Sequence, residues 1–380
     1  IFRMNVLHVI NIFFSLSYFG NQFKYLSNKG YCIHVACSPS TNLKSYSIKQ
    51  NISFIEVEIS RSISPFHDIW AIYKLAKYIK ENNIDMVVGH TPKGALLSML
   101  AARLMRVKKR IYYRHGLVYD NMFGFKYKLM KFVDRFTAYN ATKIVNVSEY
   151  LNKKAISDNL NSSQKQLIIG KGSCGGIDTV NKFNPEKIDN VKREIIKNSL
   201  EITDDYLVIG FCGRLVNDKG IPELIEAFTS LKKTMKIKLL LVGDFDTRDS
   251  VSDYVGDLIE NDKDIIKTGF IFNDIEYYYS LMNIFVFPSY REGFGISAIE
   301  ASAMQLPVLV TSETGCAETI INNETGLYID NTAKSIFENI HKLINSSEFN
   351  QMGINGRAFV MKHFENSILW EKTEENLYKN

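Results

Sequence analysis

The 380-residue sequence contains few cysteines and few prolines, and it has no apolar run long enough to cross a membrane. Its five cysteines are odd in number and show no Cys-x-x-Cys spacing, which excludes a disulfide framework and the common zinc sites. The absence of an internal period excludes a solenoid. No Gly-x-Gly-x-x-Gly follows the first predicted strand, which disfavours a dehydrogenase.

The N-terminal stretch lacks the features of a secretory signal. Polar residues precede the apolar segment 12–19, and no small-residue cleavage site follows it. Met4 is expected to be the natural start. Together with the unpaired cysteines, these features predict a cytoplasmic protein.

Acidic residues are scarce in the first half of the chain. Residues 1–176 contain 25 Lys and Arg against 9 Asp and Glu, a net charge of +16, whereas the remainder carries −11. The asymmetry indicates that the two halves have different partners, unless surface charge simply drifts without consequence.

Short apolar strands alternate with helical patterns in both halves, which predicts parallel sheets with crossover helices. The predicted strands are 6–10, 33–37, 54–57, 86–89, 110–113 and 143–147 in the first half, and 206–210, 238–242, 265–268, 284–286 and 307–310 in the second. The expected fold class is therefore α/β, with two doubly wound, Rossmann-like domains that face each other across a cleft.

The glycine-rich segment 170–176 is the predicted linker. It divides the chain into an N-terminal Rossmann-like domain, 1–176, and a C-terminal Rossmann-like domain, 177–363. Residues 364–380 are expected to form a helix that packs back on the N-terminal domain.

One strand-to-helix loop of the second half contains Gly213-Arg214 and, five residues after the arginine, Lys219. Both cations can reach one phosphate cluster, the arginine as a planar fork and the lysine as a point charge. The alternative is an ordinary loop with exposed basic residues.

A second loop reads Glu292-Gly293-Phe294-Gly295 and opens a helix that carries Glu300. Free N–H groups at the start of a helix form an anion site suited to a pyrophosphate, and Glu300 can then accept hydrogen bonds from ribose hydroxyls. The alternative is a pair of capping acids on an amphipathic helix.

These motifs resemble the retaining glycosyltransferases of family 4, which have the GT-B fold. The resemblance rests on Gly213-Arg214-Leu215 with Lys219-Gly220, Pro288-Ser289 with Glu292-Gly293-Phe294-Gly295 and Glu300-Ala301, Pro307-Val308, Gly315 with Glu318, and Glu324-Thr325-Gly326-Leu327. In the first half, Arg61 to Asp68, His90-Thr91-Pro92-Lys93 and His115-Gly116-Leu117 are similar to the subgroup that builds bacterial capsule, O-antigen and protein-linked glycans on a polyprenyl (undecaprenyl) pyrophosphate carrier.

The resemblance implies that the N-terminal domain, 1–176, is acceptor-binding and that the C-terminal domain, 177–363, is nucleotide-sugar-binding. It also implies a role for each matching residue. Arg214 and Lys219, on the loop that begins at Gly213, would neutralise the donor diphosphate, and Glu300 would hold the ribose. Glu292 would bind the hydroxyls of the donor sugar. The remaining donor contacts would be the backbone amides of Phe294, Gly295 and Ile296 for the β-phosphate, and the segment Gly269-Phe270-Ile271 for the base.

No cofactor and no metal are implied, because fixed positive groups stabilise the leaving diphosphate. Asp244 and Asp246 resemble a metal-binding acid pair, but they lie in a loop of this family and are not expected to bind metal.

His115 follows a predicted strand at its carboxyl end. It is either structural or, by the resemblance, contacts the donor sugar or stabilises the transition state through a ring N–H. No protein nucleophile is assigned. Arg61, Thr91 and Lys93 are candidates for binding the acceptor's own pyrophosphate.

The segment 121–139 interleaves aromatic residues with cations, notably Phe123 and Phe125 with Lys126, Lys128 and Lys131. Such a pattern suits an anionic membrane surface, and the alternative is a core helix with a solvated rim. No nucleic-acid partner is expected. In the helix predicted over 68–81, Ile69, Ile72, Ala76 and Ile79 are expected to form the core face.

The sequence thus predicts a retaining, metal-independent enzyme at the inner face of the plasma membrane. It would move a hexose or N-acetylhexosamine from a UDP-sugar to a polyprenyl-pyrophosphate-linked saccharide. The alternatives are a nucleotide-sugar 2-epimerase of similar fold and a non-catalytic lipid- or nucleotide-binding module.

Overall fold

A computed structural model describes residues 4–60, 62, 64–120 and 122–379, so the predicted acceptor residue Arg61 lies outside the described residues. The chain divides into two compact units. Unit 1 comprises Ile1–Gly176 and Asn366–Asn380, and unit 2 comprises Ile177–Glu365. The sequence predicts borders after residues 176 and 363.

Unit 1 contains, in its described part, a seven-stranded parallel sheet. Its strands are β1 (Asn5–Val9), β2 (Cys32–Cys37), β3 (Ser53–Glu56), β4 (Met86–His90), β5 (Lys109–Arg114), β6 (Lys143–Asn146) and β7 (Gln166–Leu167). The order across the sheet is β3-β2-β1-β4-β5-β6-β7, with the reversal between β1 and β4 that is typical of doubly wound folds.

The helices of unit 1 connect successive strands. They are α1 (Gln22–Asn28), α2 (Leu43–Gln50), α3 (Pro65–Glu81), α4 (Pro92–Leu104), α5 (Gly124–Asn140) and α6 (Glu149–Ser157), with 3₁₀ turns at Phe13–Phe19 and Ser163–Lys165. A last helix, which we number α14 (Asn366–Thr373) because it follows the helices of unit 2, continues into a π-helical turn at Glu374–Tyr378. The Trp370 Nε1–H donates to the Gly175 carbonyl at 3.0 Å, which fixes this segment within unit 1.

Unit 2 repeats the scheme with a six-stranded parallel sheet among its described residues. Its strands are β8 (Leu207–Cys212), β9 (Ile237–Val242), β10 (Ile265–Lys267), β11 (Ile284–Phe287), β12 (Val308–Thr311) and β13 (Gly326–Ile329), ordered β10-β9-β8-β11-β12-β13. Its helices are α7 (Asn190–Ser199), α8 (Ile221–Leu231), α9 (Asp253–Asn261), α10 (Ile275–Tyr279), α11 (Ile296–Ala303), α12 (Ala333–Ile344) and α13 (Phe349–Phe364), with 3₁₀ turns at Pro185–Lys187, Asn217–Lys219, Thr247–Asp249 and Gly315–Thr319.

The central strands are apolar on both faces because helices cover both faces of the sheet. Every residue of β9 and β11 is buried, as is every residue of β4. Continuous runs of this kind are why the sequence locates these strands to within one or two residues.

Two strands and one helix face differ from the sequence prediction. The edge strands β7 and β13 are absent from the sequence prediction. β7 has only two residues, and β13 begins with a glycine, a residue type depleted in strands. The prediction that Ile69 belongs to the core face of α3 is wrong, because Ile69 is exposed while Ala71 and Leu75 are buried.

No helix within the described residues is long and apolar enough to span a membrane. The five cysteines are free thiols, and burial raises the pKa of four of them, Cys37, Cys174, Cys212 and Cys316.

Candidate active site

The predicted donor-binding residues of unit 2 lie beyond the carboxyl ends of parallel strands. Arg214 follows β8, Phe270 follows β10 and Glu292 follows β11, in one sheet. Because the carboxyl ends of parallel strands meet at one edge, these loops share the edge where ligands of doubly wound sheets bind.

Two glycines allow the loops after β8 and β9 to touch. A Cβ added to Gly243 would lie 1.8 Å from the carbonyl oxygen of Gly213, and both residues have positive φ values, +156° and +154°. Any larger residue at Gly243 would push the two loops apart. The close approach therefore fixes where Arg214 leaves the sheet.

Lys219 and Glu292, predicted separately as diphosphate and sugar ligands, form an ion pair. The lysine Nζ also lies 3.5 Å from the Ser289 hydroxyl oxygen and 3.5 Å from the Arg291 carbonyl oxygen, and the residue is only 9% exposed. A buried cation needs such partners, because its desolvation is otherwise too costly.

The turn that carries Lys219 is held against the loop after β11. Gly220 adopts the left-handed conformation, with φ +69°, and a Cβ there would lie 2.1 Å from the Pro288 carbonyl oxygen. Only glycine meets both requirements without strain. The backbone at Gly220 and at Pro288 thus positions the Lys219 side chain beside Glu292.

The glycine-rich turn before α11 lies where the sequence predicts an anion site. Gly295, with φ +92°, precedes the first helical residue and provides no side-chain cap, so the first N–H groups of α11 are left for other acceptors. The Gly315 N–H donates to the Glu292 carbonyl at 3.1 Å, and a Cβ on Gly315 would lie 2.0 Å from the Gly293 carbonyl oxygen. The buried Phe294 ring packs against Phe364 and anchors the turn.

Arg214 is half-exposed, and its Nη1 lies 3.4 Å from Asp246 Oδ2. Asp246 also accepts from Arg248, and these bonds hold the pKa of the Asp246 carboxyl well below its ordinary value. Asp244 accepts from Lys267 at 3.2 Å. Each of the two acids that resemble a metal pair therefore has a basic partner.

Glu300 lies in the second turn of α11, where the Tyr279 hydroxyl donates to its Oε2 at 2.8 Å. Burial raises the pKa of Glu300 to about 7, although the bond from Tyr279 acts in the opposite direction. Near neutral pH this carboxyl is thus poised between its two protonation states.

Phe270 and Ile271 follow β10 at the same edge of the sheet. Phe270 is 51% exposed and Ile271 is half-buried. The left-handed Gly269 turns the chain there, close to Asp244. Within the described residues, no hydrogen bond links Phe270 or Ile271 to Lys219 or Glu292.

In unit 1, His115 follows β5 and belongs to a row of histidines. Its Nε2 lies 3.2 Å from His90 Nδ1, and His90 Nε2 lies 3.0 Å from His8 Nδ1. His8 Nε2 is 2.8 Å from the Tyr378 hydroxyl. Burial lowers the pKa of His8 to about 3 and that of His115 to about 4, so these rings are neutral at physiological pH.

Thr91 and Lys93 lie at the start of α4. Thr91 has φ +61°, a strained value for a β-branched residue, and its buried hydroxyl has no hydrogen-bond partner within the described chain. Lys93 pairs with Asp68 at 2.7 Å. An acceptor phosphate at Lys93 would therefore have to compete with this carboxylate.

The five predicted membrane residues extend from Phe123, which precedes α5, to Lys131 in the middle of that helix. Phe123 and Phe125 are 89% and 79% exposed, and Lys126 and Lys128 are exposed beside them. Lys131 differs, because it is half-buried and pairs with Asp158 at 2.9 Å. The ammonium group of Lys131 therefore faces the Asp158 carboxylate rather than solvent.

Several residues near these positions are not among the residues predicted from the sequence. Tyr279, the donor to Glu300, is one of three consecutive tyrosines, and nothing in the sequence distinguishes it from the other two. On α3, Phe66, Trp70 and Tyr73 recur at helical spacing and are exposed. Their spacing is typical of one face of a helix, so this second aromatic face, on α3, could have been predicted from the sequence.

Comparisons with known proteins agree with this architecture. Residues 6–148 match a family model described as Glycosyl transferase 4-like, and residues 192–359 match one described as Glycosyl transferases group 1. Among solved structures, Anabaena HepE in complex with UDP and glucose superposes with a TM-score of 0.82 over the whole of both chains at 16% identity, a likeness of fold.

Two curated bacterial proteins are similar along most of the chain. The capsular polysaccharide biosynthesis glycosyltransferase CapM of Staphylococcus aureus is 33% identical over 98% of this chain and 96% of its own length. The N,N'-diacetylbacillosaminyl-diphospho-undecaprenol α-1,3-N-acetylgalactosaminyltransferase of Campylobacter jejuni is 27% identical over 83% of each chain. The 2-epimerase and the non-catalytic module are thereby set aside, and the chain belongs to the family-4 glycosyltransferases of the GT-B fold.

Proposed function

We propose that this glycosyltransferase moves a hexose or N-acetylhexosamine from a UDP-sugar to a polyprenyl-pyrophosphate-linked saccharide, with retention and without a metal. The proposed setting is the assembly of a bacterial capsule, O-antigen or related glycan. The similarity to the S. aureus capsular polysaccharide glycosyltransferase and to the C. jejuni enzyme named for a diphospho-undecaprenol acceptor supports this substrate class. The UDP and glucose bound to HepE support the choice of donor.

The observation that carries the proposal is the ion pair of Lys219 with Glu292 beside the uncapped start of α11. Departure of UDP builds negative charge on a phosphate oxygen, and a preorganised cation with aligned N–H groups lowers that barrier. On binding, the diphosphate would draw Lys219 away from the carboxylate. Glu292 would then be free to accept hydrogen bonds from the sugar.

In the proposed reaction the acceptor hydroxyl attacks the anomeric carbon on the face from which UDP departs. The bond between the anomeric carbon and the diphosphate oxygen breaks as the bond to the acceptor oxygen forms. The hydroxyl proton passes to the departing phosphate oxygen, so no protein nucleophile is needed. His115 would stabilise the transition state by donating a ring N–H to the donor sugar.

The test is a transfer assay with a panel of UDP-sugars and synthetic polyprenyl-pyrophosphate saccharides, read by product mass. We expect one UDP-sugar to add a single sugar mass to a lipid-linked acceptor. Conversion of a UDP-sugar to its epimer without acceptor, or no turnover with any pair, would contradict the proposal. Glu292→Gln is the matched variant, because it keeps the size of the side chain but loses the ion pair with Lys219.

We further propose that unit 1 attaches to an anionic membrane through the exposed aromatic residues of α3 and α5. Both helices pack against α4, and Phe66 on α3 and Phe123 at α5 are 88% and 89% exposed. Lys126 and Lys128 supply charge beside these rings. A lipid-linked acceptor stays in the bilayer, so the enzyme has to come to it.

Vesicle co-sedimentation tests the attachment. Each lysine near an anionic surface contributes about 1 kcal/mol, so loss of Lys126 and Lys128 should weaken binding by about 30-fold or more. Lys126→Glu with Lys128→Glu is compared with the same change at Lys44 and Lys49, which are exposed on α2. Equal binding of both double variants would show that this face is only a solvated rim.

A further inference from the structure

Three histidines and a tyrosine of unit 1, far apart in sequence, form one continuous line of side chains. Tyr378 is in the π-helical turn, His8 in β1 and His90 at the end of β4, and His115 follows β5. Their polar atoms are linked at 2.8, 3.0 and 3.2 Å in that order. Strands β1, β4 and β5 are neighbours in the sheet, and this adjacency brings the histidines together.

Aromatic rings enclose the line. Phe23 and Phe19 pack on His8 and His90 with ring centroids 4.7 and 4.8 Å apart, and Tyr113 stacks on His90 at 5.2 Å. The hydroxyl of Tyr113 is engaged elsewhere, since it donates to the Cys174 carbonyl at 3.1 Å. The enclosing rings therefore leave the histidines to hydrogen-bond with one another.

A neutral imidazole has one N–H and one bare nitrogen. A line of neutral imidazoles can satisfy every link only if all donors point the same way. Burial lowers the pKa of His8 and His90 far below neutrality, so these rings are neutral. The donors can all point toward His115 or all point toward Tyr378. In the first case Nδ1 of His115 carries the proton, and in the second case Nδ1 is bare.

The phenol of Tyr378 selects between the two directions. This residue is only 3% exposed, and within the described structure His8 Nε2 is the one hydrogen-bond partner of its hydroxyl. If His8 donated to the tyrosine, the phenolic O–H would be buried without an acceptor, which is strongly unfavourable. The O–H therefore donates to His8, His8 Nδ1–H donates to His90, and His90 Nδ1–H donates to His115 Nε2.

We infer that Tyr378, His8 and His90 are positioning residues that fix the tautomer of His115, so that His115 carries its proton on Nδ1 and presents that N–H as a donor. The inference rests on the proposed function, in which His115 donates a ring N–H to the transferring sugar. The opposite direction would present a bare nitrogen lone pair and repel an electron-rich sugar oxygen.

Nitrogen-15 NMR of the histidine rings in the 380-residue protein tests the inference directly, because protonated and bare ring nitrogens resonate at different frequencies. We expect His115 to show a protonated Nδ1 and an unprotonated Nε2. A protonated Nε2 at His115 would overturn the inference. This readout needs no substrate, so it stands even if the proposed transfer reaction fails.

A matched pair of variants at His8 supplies the kinetic test. The amide of His8→Asn can still donate to His90, whereas the carboxylate of His8→Asp can only accept and should reverse the line. We expect His8→Asp to lower kcat about tenfold or more with the KM for UDP-sugar nearly unchanged, and His8→Asn to retain most of the activity. Equal kcat in the two variants would contradict the inference.

If His8→Asp does not fold, Tyr378→Phe provides the same test with a smaller change. It keeps the ring contact with Tyr31, at 5.0 Å, and removes only the selecting O–H. We expect a mixture of His115 tautomers and a kcat reduced about threefold. Tyr31→Phe, which removes a hydroxyl bonded to Glu374 instead, is the control and should behave as wild type. An unchanged His115 spectrum in Tyr378→Phe would refute the role of the phenol.

Discussion

Donor binding should depend on the protonation of Glu300. The carboxyl is held by Tyr279, and burial raises its pKa to about 7. The ionised carboxylate can accept hydrogen bonds from ribose hydroxyls through both of its oxygens. In the protonated acid, one of these oxygens carries a proton and acts as a donor instead. About one molecule in eleven is ionised at pH 6 and about ten in eleven at pH 8, so affinity for UDP should rise about tenfold between these pH values.

Titration calorimetry with UDP at pH 6, 7 and 8 measures this dependence. Glu300→Gln is the control, because it has the same size and does not titrate, and UDP's own ionisation cancels in the comparison at each pH. Tyr279→Phe should shift the rise to higher pH, since it removes a hydrogen bond that lowers the pKa of Glu300. A constant ratio of wild-type to Glu300→Gln affinity across this range would refute the reasoning.

The same group makes a prediction for stability in the absence of ligand. Its pKa is near 4.5 when unfolded and about 7 when folded, so the free energy of unfolding falls as pH rises between these values. At about 1.4 kcal/mol per pH unit, the loss is about 3 kcal/mol by pH 8. Glu300→Gln should therefore be more stable than wild type at pH 8 and about equally stable near pH 4, as measured by urea unfolding.

Three further predictions follow from the donor loops. Arg214→Ala and Lys219→Ala should each weaken UDP binding by about 10- to 150-fold, from loss of a charge-assisted bond, and unchanged affinity by calorimetry in both would oppose the assignment. The product should keep the α configuration of the donor by NMR, with activity surviving EDTA; an inverted product, or a loss reversed by added metal, would contradict the mechanism. Gly243→Ala should destabilise the protein by about 2 kcal/mol or more and lower its Tm, because the new Cβ would meet the Gly213 carbonyl oxygen.

Buried strands were predictable because each is a short continuous apolar run between loops. The segments at Arg214 and from Glu292 to Glu300 could be assigned to strand-to-helix loops, because each follows one of these apolar runs and is rich in glycine and charged residues. The edge strand β7 was missed because it has only two residues, and β13 was missed because it begins with a glycine, which is depleted in strands. Ile69 was misassigned because α3 has two apolar stripes, and spacing alone does not tell which faces the sheet.

Contacts between residues that are far apart in the chain could not be predicted from the sequence. Lys219 and Glu292 are 73 residues apart, and His8 and Tyr378 are 370 apart. The adjacency of β8 and β11 brings the first pair together, and the return of the C-terminal segment to unit 1 brings the second. The pairing of Asp246 with Arg214 likewise depends on two glycines that let neighbouring loops touch. Individual candidate residues could be named from the sequence, but the contacts between residues far apart in the chain could be identified only from the folded structure.

The most direct test of the donor site is an experimental structure of the protein with UDP bound. The account predicts that the diphosphate lies against Lys219 and the first N–H groups of α11, with the Lys219–Glu292 pair opened and the ribose hydroxyls on Glu300. A UDP molecule bound away from the carboxyl edge of the unit 2 sheet, or bound there with Lys219 still paired to Glu292, would contradict it.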